Sequence, residues 1–112
     1  MSANIMKNIN DTSFTDVLQA ATKPVVVLFT TDYSGTSRIM FPLLEVAGRD
    51  YAEVYDFYRA RCEESRDSVA RFGIRVVPTL AIFKDSKLSG VRINVQTDEK
   101  IRSFLDDFTA KQ

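Results

Sequence analysis

Residues 25–29 read Val-Val-Val-Leu-Phe, an unbroken apolar run led by β-branched residues. A strand with one wet face alternates apolar and polar residues. A strand that does not alternate is covered on both faces, so this run belongs at the centre of a sheet with helices above and below. Pro24 marks its start. Thr30 to Thr36 then carries the chain out of the sheet through an exposed turn, where Gly35 supplies conformational freedom. A long helix follows. This strand–turn–helix unit constrains where every other segment can go.

Upstream, Ile5 to Ile9 reads as a short edge strand. Asp11, Thr12 and Ser13 are N-cap candidates for a first helix over Ser13 to Ala21, with Phe14, Val17, Leu18 and Ala21 at helical spacing. Lys23-Pro24 ends it. Downstream, the apolar residues Ile39, Met40, Phe41, Leu43, Leu44, Val46, Ala47 and Tyr51 describe an amphipathic helix from Ser37. Pro42 lies within it and is expected to kink it without ending it. Val54 to Ala60 reads as a strand, Glu63 to Asp67 as a polar loop, and Val69 to Phe72 as a short helix stopped by Gly73. Thr79 to Phe83 and Leu88 to Val95 form a hairpin about Lys84 to Lys87. Thr97 or Asp98 caps a last helix carrying Ile101, Phe104, Leu105 and Phe108. The order β-α-β-α-β-α-β-β-α gives one α/β domain over residues 1–112. Its mixed central sheet of about five strands is flanked by helices on both faces.

Composition narrows the function. Lys+Arg and Asp+Glu are 15 each, so the chain lacks the positive field of a nucleic-acid or anionic-membrane binder. No apolar run approaches the roughly 20 residues of a membrane span. Met1 to Lys7 lacks a basic segment followed by an apolar one, so no signal peptide is expected and the cytoplasm is the expected location. The Asn10-Asp11-Thr12 sequon is then a chance match. There is no histidine, and Cys62 is the single cysteine. No intramolecular disulfide can form. A histidine-based nucleophilic relay is excluded, and neither a metal site nor a cofactor is expected.

The chain resembles the thioredoxin family over nearly its full length. The resemblance rests on Lys23-Pro24-Val25-Val26-Val27, on Tyr33-Ser34-Gly35-Thr36-Ser37 followed by Pro42, on Phe72 to Leu80 with its Gly-Ile-Arg-Val-Val-Pro-Thr core, and on Phe83-Lys84. In that family the turn reads Trp-Cys-Gly-Pro-Cys, and its first cysteine is an attacking thiolate at the positive end of a helix. The resemblance places Ser34 and Ser37 at the two cysteine positions, Tyr33 at the tryptophan and Thr36 at the proline. It makes Pro78 a cis-proline facing the turn. It implies a peptide-binding groove made by Tyr33, Gly35, Thr36, Val77, Pro78, Thr79 and Asn94. The family's buried aspartate is Leu28 here, its next tryptophan is Thr30, and its groove glycine is Asn94.

A serine hydroxyl with no base nearby is a poor nucleophile, so Ser34 or Ser37 is expected to cap the helix instead of reacting. Two origins fit the serines: natural loss of redox chemistry, or laboratory replacement of cysteines. Leu28, Thr30, Thr36 and Asn94 favour natural loss, because replacing two cysteines gives no reason to change them. Cys62, beside Glu63 and Glu64, is expected to be a partly buried structural residue away from the turn, its thiol disfavoured as a thiolate by those carboxylates. The charged stretch Arg59 to Arg71 reads as a solvated loop and helix face, with a contact surface as the alternative. Tyr51, Tyr55, Phe57 and Tyr58 read as core or as an adhesive patch. The expected function is a redox-inactive protein-binding module in a chaperone, assembly or scaffold role, as a monomer or weak dimer. Its partner would be a protein or extended peptide, with neither nucleic acid nor membrane. The alternatives are a thiol–disulfide oxidoreductase whose cysteines were exchanged, and a structural domain that dimerises through its sheet edge or aromatic patch.

Overall fold

A computed structural model describes residues 5–111. The elements are β1 (Met6–Ile9), α1 (Phe14–Ala20), β2 (Val25–Thr30), α2 (Gly35–Arg49), β3 (Asp56–Arg61), a 3₁₀ turn at Cys62–Glu64, α3 (Arg66–Arg71), β4 (Thr79–Lys84), β5 (Lys87–Ile93) and α4 (Asp98–Ala110). The sheet order is β1-β3-β2-β4-β5, so β2 is central. β1 and β2 run parallel to β3, while β4 is antiparallel to β2 and β5 to β4. The expected mixed five-stranded sheet, covered on both faces, is what forms.

β2 shows why its sequence does not alternate. Val26 and Leu28 face a core shared with Met40 and Leu44 of α2 and with Ile101 and Leu105 of α4. Val25, Val27 and Phe29 face a second core with Phe14 and Leu18 of α1 and with Ile74 beyond α3. All six residues of the strand are buried. Strand periodicity persists, but both faces are dry.

Several boundaries differ from the sequence expectation, each for a local reason. α2 begins at Gly35, two residues early, because Ser34 is extended and serves as its N-cap. It continues through Pro42 to Arg49. β3 begins at Asp56, because Tyr51–Val54 remains in a turn closed by the Val54 and Tyr55 amides on the Tyr51 carbonyl. β5 ends at Ile93, because Asn94 takes a left-handed φ of 60°. α3 ends in a Schellman pair, Gly73 N to Ala70 O and Ile74 N to Val69 O, with Gly73 at φ 68° where a side chain would be strained. Thr97 caps α4 by accepting from Lys100 N at 3.1 Å.

The largest surprise is Asp11. Ser13 stands at the N-cap of α1 but makes no side-chain cap bond. Asp11 turns away from that helix and caps α3. Its carboxylate accepts from Asp67 N at 3.0 Å, Ser68 N at 2.9 Å and Ser68 Oγ at 2.8 Å. The choice among three adjacent cap candidates was made by tertiary contact. The aromatics are chiefly core: Tyr55 and Phe57 are buried, and Tyr55 donates its hydroxyl to Leu105 O at 2.6 Å. Tyr51 and Tyr58 are half-buried. The sequence reading of residues 1–4 as non-signal lies outside the described residues. Among the described residues, no helix is long and apolar enough to cross a membrane.

Candidate functional site

The register of the sheet gathers the candidate site at one end. Phe29 of β2 pairs with Thr79 of β4, which pairs with Ile93 of β5. Thr30 ends β2, and Pro78 and Asn94 are the next residues beyond β4 and β5, so the three lie side by side at this end. On the other flank Thr30 pairs with Arg61, so Cys62 and Glu63 emerge at the same end. Parallel pairing of β2 with β3 brings this segment to the turn through Glu63, while the Cys62 side chain packs with the second core, on the α1 face of the sheet.

The turn from Thr31 to Ser34 is held at several points. Ser34 Oγ accepts from Ser37 N at 3.1 Å, satisfying one of the free amides of the first turn of α2. Ser37 is buried, and its Oγ accepts from Thr31 N at 3.4 Å. Both serines are thus occupied in tying the turn to the helix. From below, one carboxylate oxygen of Glu63 accepts from Thr31 Oγ1 at 2.7 Å and Asp32 N at 3.1 Å. The Thr31 hydroxyl and then the backbone amides hold the Glu63 carboxyl below its usual range. Arg61 grips Asp32 through two nitrogens and pairs with Glu64 at 3.0 Å. The Arg61 hydrogen bond likewise keeps Asp32 low. The stretch Arg59 to Arg71 is thus more than a solvated face, since its first half buttresses the turn.

The remaining candidates divide into two groups. Tyr33 projects freely and is 91% exposed. The Val77–Pro78 bond is cis, and both residues are half-buried. Thr79 is buried and works inwards, its hydroxyl donating to the Val76 carbonyl. Gly35 is exposed and has open space where a side chain would begin. Thr36 is half-buried in the first turn of α2. Asn94 stands beside Pro78 by register, but its recess is shared with Glu99, Lys100 and Asp107 on the α4 side. Leu28 is fully buried. No amide of Arg75, Val76 or Val77 donates to another backbone group among the described residues.

Three participants escaped the sequence reading. Val76 is 51% exposed and, with Val91 and Ile93, borders an apolar hollow of about 200 Å³ floored by Ile74. Its signal was an apolar pair, Val76-Val77, outside any strand. Glu63 and Arg61 carried no signal beyond the charged stretch they belong to, because strand pairing alone brings them to the turn.

What the arrangement can do chemically is limited. Ser34 and Ser37 cannot form a disulfide. Burial pushes the Cys62 thiol up, and the Glu63 carboxylate adds to the effect, so little thiolate is present near neutral pH. Among the described residues no cluster of carboxylates and thiols gathers to hold a metal ion.

The family model described as Thioredoxin matches residues 5–107. The chain is 28% identical over 106 residues to the thioredoxin of Pseudomonas aeruginosa, covering 95% of this chain and 97% of the relative. It is 31% identical over 99 residues to the thioredoxin of Acidithiobacillus ferridurans, covering 88% and 91% respectively. The chloroplastic thioredoxin M4 of Arabidopsis thaliana is 28% identical over 101 residues, or 90% of this chain and 52% of that protein.

Proposed function

The chain belongs to the thioredoxin family, and from that premise we propose that it is a redox-inactive binding module that holds an extended segment of a partner protein against the backbone before Pro78. One observation carries this reading. Among the described residues the amides of Arg75, Val76 and Val77 are unused by the fold's own backbone, Val76 is half-exposed, and Tyr33 protrudes from the turn at the same end of the sheet. Backbone amides left unpaired beside apolar side chains are available to a strand of a partner. The other groove residues, Gly35, Thr36, Val77, Pro78, Thr79 and Asn94, shape or border that stretch. In this reading it serves a chaperone, assembly or scaffold role in the cytoplasm, as a monomer or weak dimer. Neither nucleic acid nor a membrane is a partner in this reading.

The chemistry is tested by reduction of insulin disulfides with dithiothreitol as electron source. The expected rate equals the background without protein. A rate well above it would overturn the reading. A second reading, a dithiol oxidoreductase whose cysteines were exchanged for serine, is supported by the name thioredoxin carried by the relatives. The sequence of the source gene decides between them: cysteine codons at positions 34 and 37 favour the oxidoreductase.

A further inference from the structure

A recess of about 370 Å³ opens beside the turn, on the β3 side of β2 and so across the central strand from Pro78. It is lined by Thr30, Thr31, Asp32, Ser37, Arg38, Phe41 and Arg59. Arg59 is its unusual member. It is half-buried, and its guanidinium lies 4.8 Å over the Phe41 ring. Its Nε is buried with no hydrogen-bond partner, and its Nη2 reaches only Asn8 Oδ1 at 3.4 Å. The sheet supplies no counter-charge, because the residues paired with Arg59 on either side are Asn8 and Leu28. Neither Arg59 nor Arg38 forms an ion pair among the described residues. Arg38 Nη2 reaches only the Asp32 carbonyl, at 3.5 Å. Asp32 lines the recess and its charge acts on Arg59 and Arg38, but its carboxylate is hydrogen-bonded to Arg61, and one Glu63 oxygen is held by Thr31 and the Asp32 amide.

A partly desolvated cation with no hydrogen-bonded counter-charge is costly, and an incoming anion lowers that cost. Arginine forks match planar carboxylates, and the recess is of ligand-binding size with an aromatic wall. We propose that it binds a small organic carboxylate, the charged group between Arg59 and Arg38 and the apolar body along Phe41. Ser37 adds a hydroxyl whose oxygen accepts from Thr31 N, leaving its proton to donate. This site is independent of the partner groove, because its residues and flank are different.

Titration of the isotope-labelled full chain with benzoate, followed by NMR, tests the proposal. Benzamide serves as the neutral isostere and sodium chloride as the ionic-strength control. The expected result is saturable shifts at the amides of Thr31, Asp32, Ser37 and Arg38 with benzoate alone. Arg59→Met and Arg38→Met should each weaken binding by about tenfold. Arg38 is exposed, so its variant reads binding even if the Arg59 variant folds poorly. Benzoate shifts no larger than those of chloride, or wild-type affinity in Arg38→Met, would overturn the proposal.

Discussion

Asp11 joins the start of the chain to α3, and its replacement measures that joint. Loss of an N-cap costs about 1 kcal/mol, so Asp11→Ala should lower the midpoint of thermal unfolding by roughly 4 °C. Desolvation opposes ionisation of Asp11, but the Asp67 and Ser68 amides and the Ser68 hydroxyl outweigh it and leave the carboxyl below its usual range. A depressed folded value stabilises above the unfolded value, near 4, and that contribution is lost as pH falls through the folded value. The gap between wild type and Asp11→Ala should therefore be constant above about pH 5 and close in more acid solution. Chemical denaturation at several pH values checks this. Cys62 gives a second test: its alkylation by iodoacetamide at neutral pH should be slower than that of a free thiol, and faster reaction at a reagent-matched pH would contradict its shielding. That Cys62 would be half-buried was legible, since cysteine packs as a small apolar residue. The role of Asp11 was not, because Asp11, Thr12 and Ser13 are equivalent as cap residues until α3 is docked against them.

At the scale of elements, α2 depends on Ser34. Ser34→Ala removes the acceptor for Ser37 N and should destabilise the fold by about 1 kcal/mol, whereas Ser34→Asp should retain or exceed wild-type stability at neutral pH through its charge at the positive helix end. Thermal unfolding of both variants is the check, and an Ala variant as stable as wild type would contradict the cap. The element order, the central place of β2 and a serine cap on α2 were readable because periodicity, Pro24 and the turn residues all agreed, though not which serine would cap. Element ends were less so. β5 stops where Asn94 goes left-handed, and β3 starts late because the Tyr51–Val54 turn is closed by contacts that sequence does not display. The buttress under the turn was hidden for a related reason. Glu63 meets Thr31 only because β2 and β3 pair in parallel, and register is a property of two strands together.

For the whole molecule, one end of the sheet carries two distinct surfaces. On the β4 side lie Pro78, the unused amides and the apolar hollow beside Val76. On the β3 side lies the recess with Arg59 and Arg38. Between them stands a turn with two hydroxyls where the family resemblance places two thiols. Tyr33 and Val76 contribute little to the fold, so Tyr33→Ala should change stability by less than about 0.5 kcal/mol. A protruding aromatic is also the kind of side chain that dominates an interface. The most direct measurement is affinity purification from the source cells under reducing conditions, comparing wild type with Tyr33→Ala and Val76→Glu by quantitative mass spectrometry. The account predicts a protein retained by wild type and depleted at least about tenfold from both variants. The same proteins recovered in equal amounts by all three would contradict it.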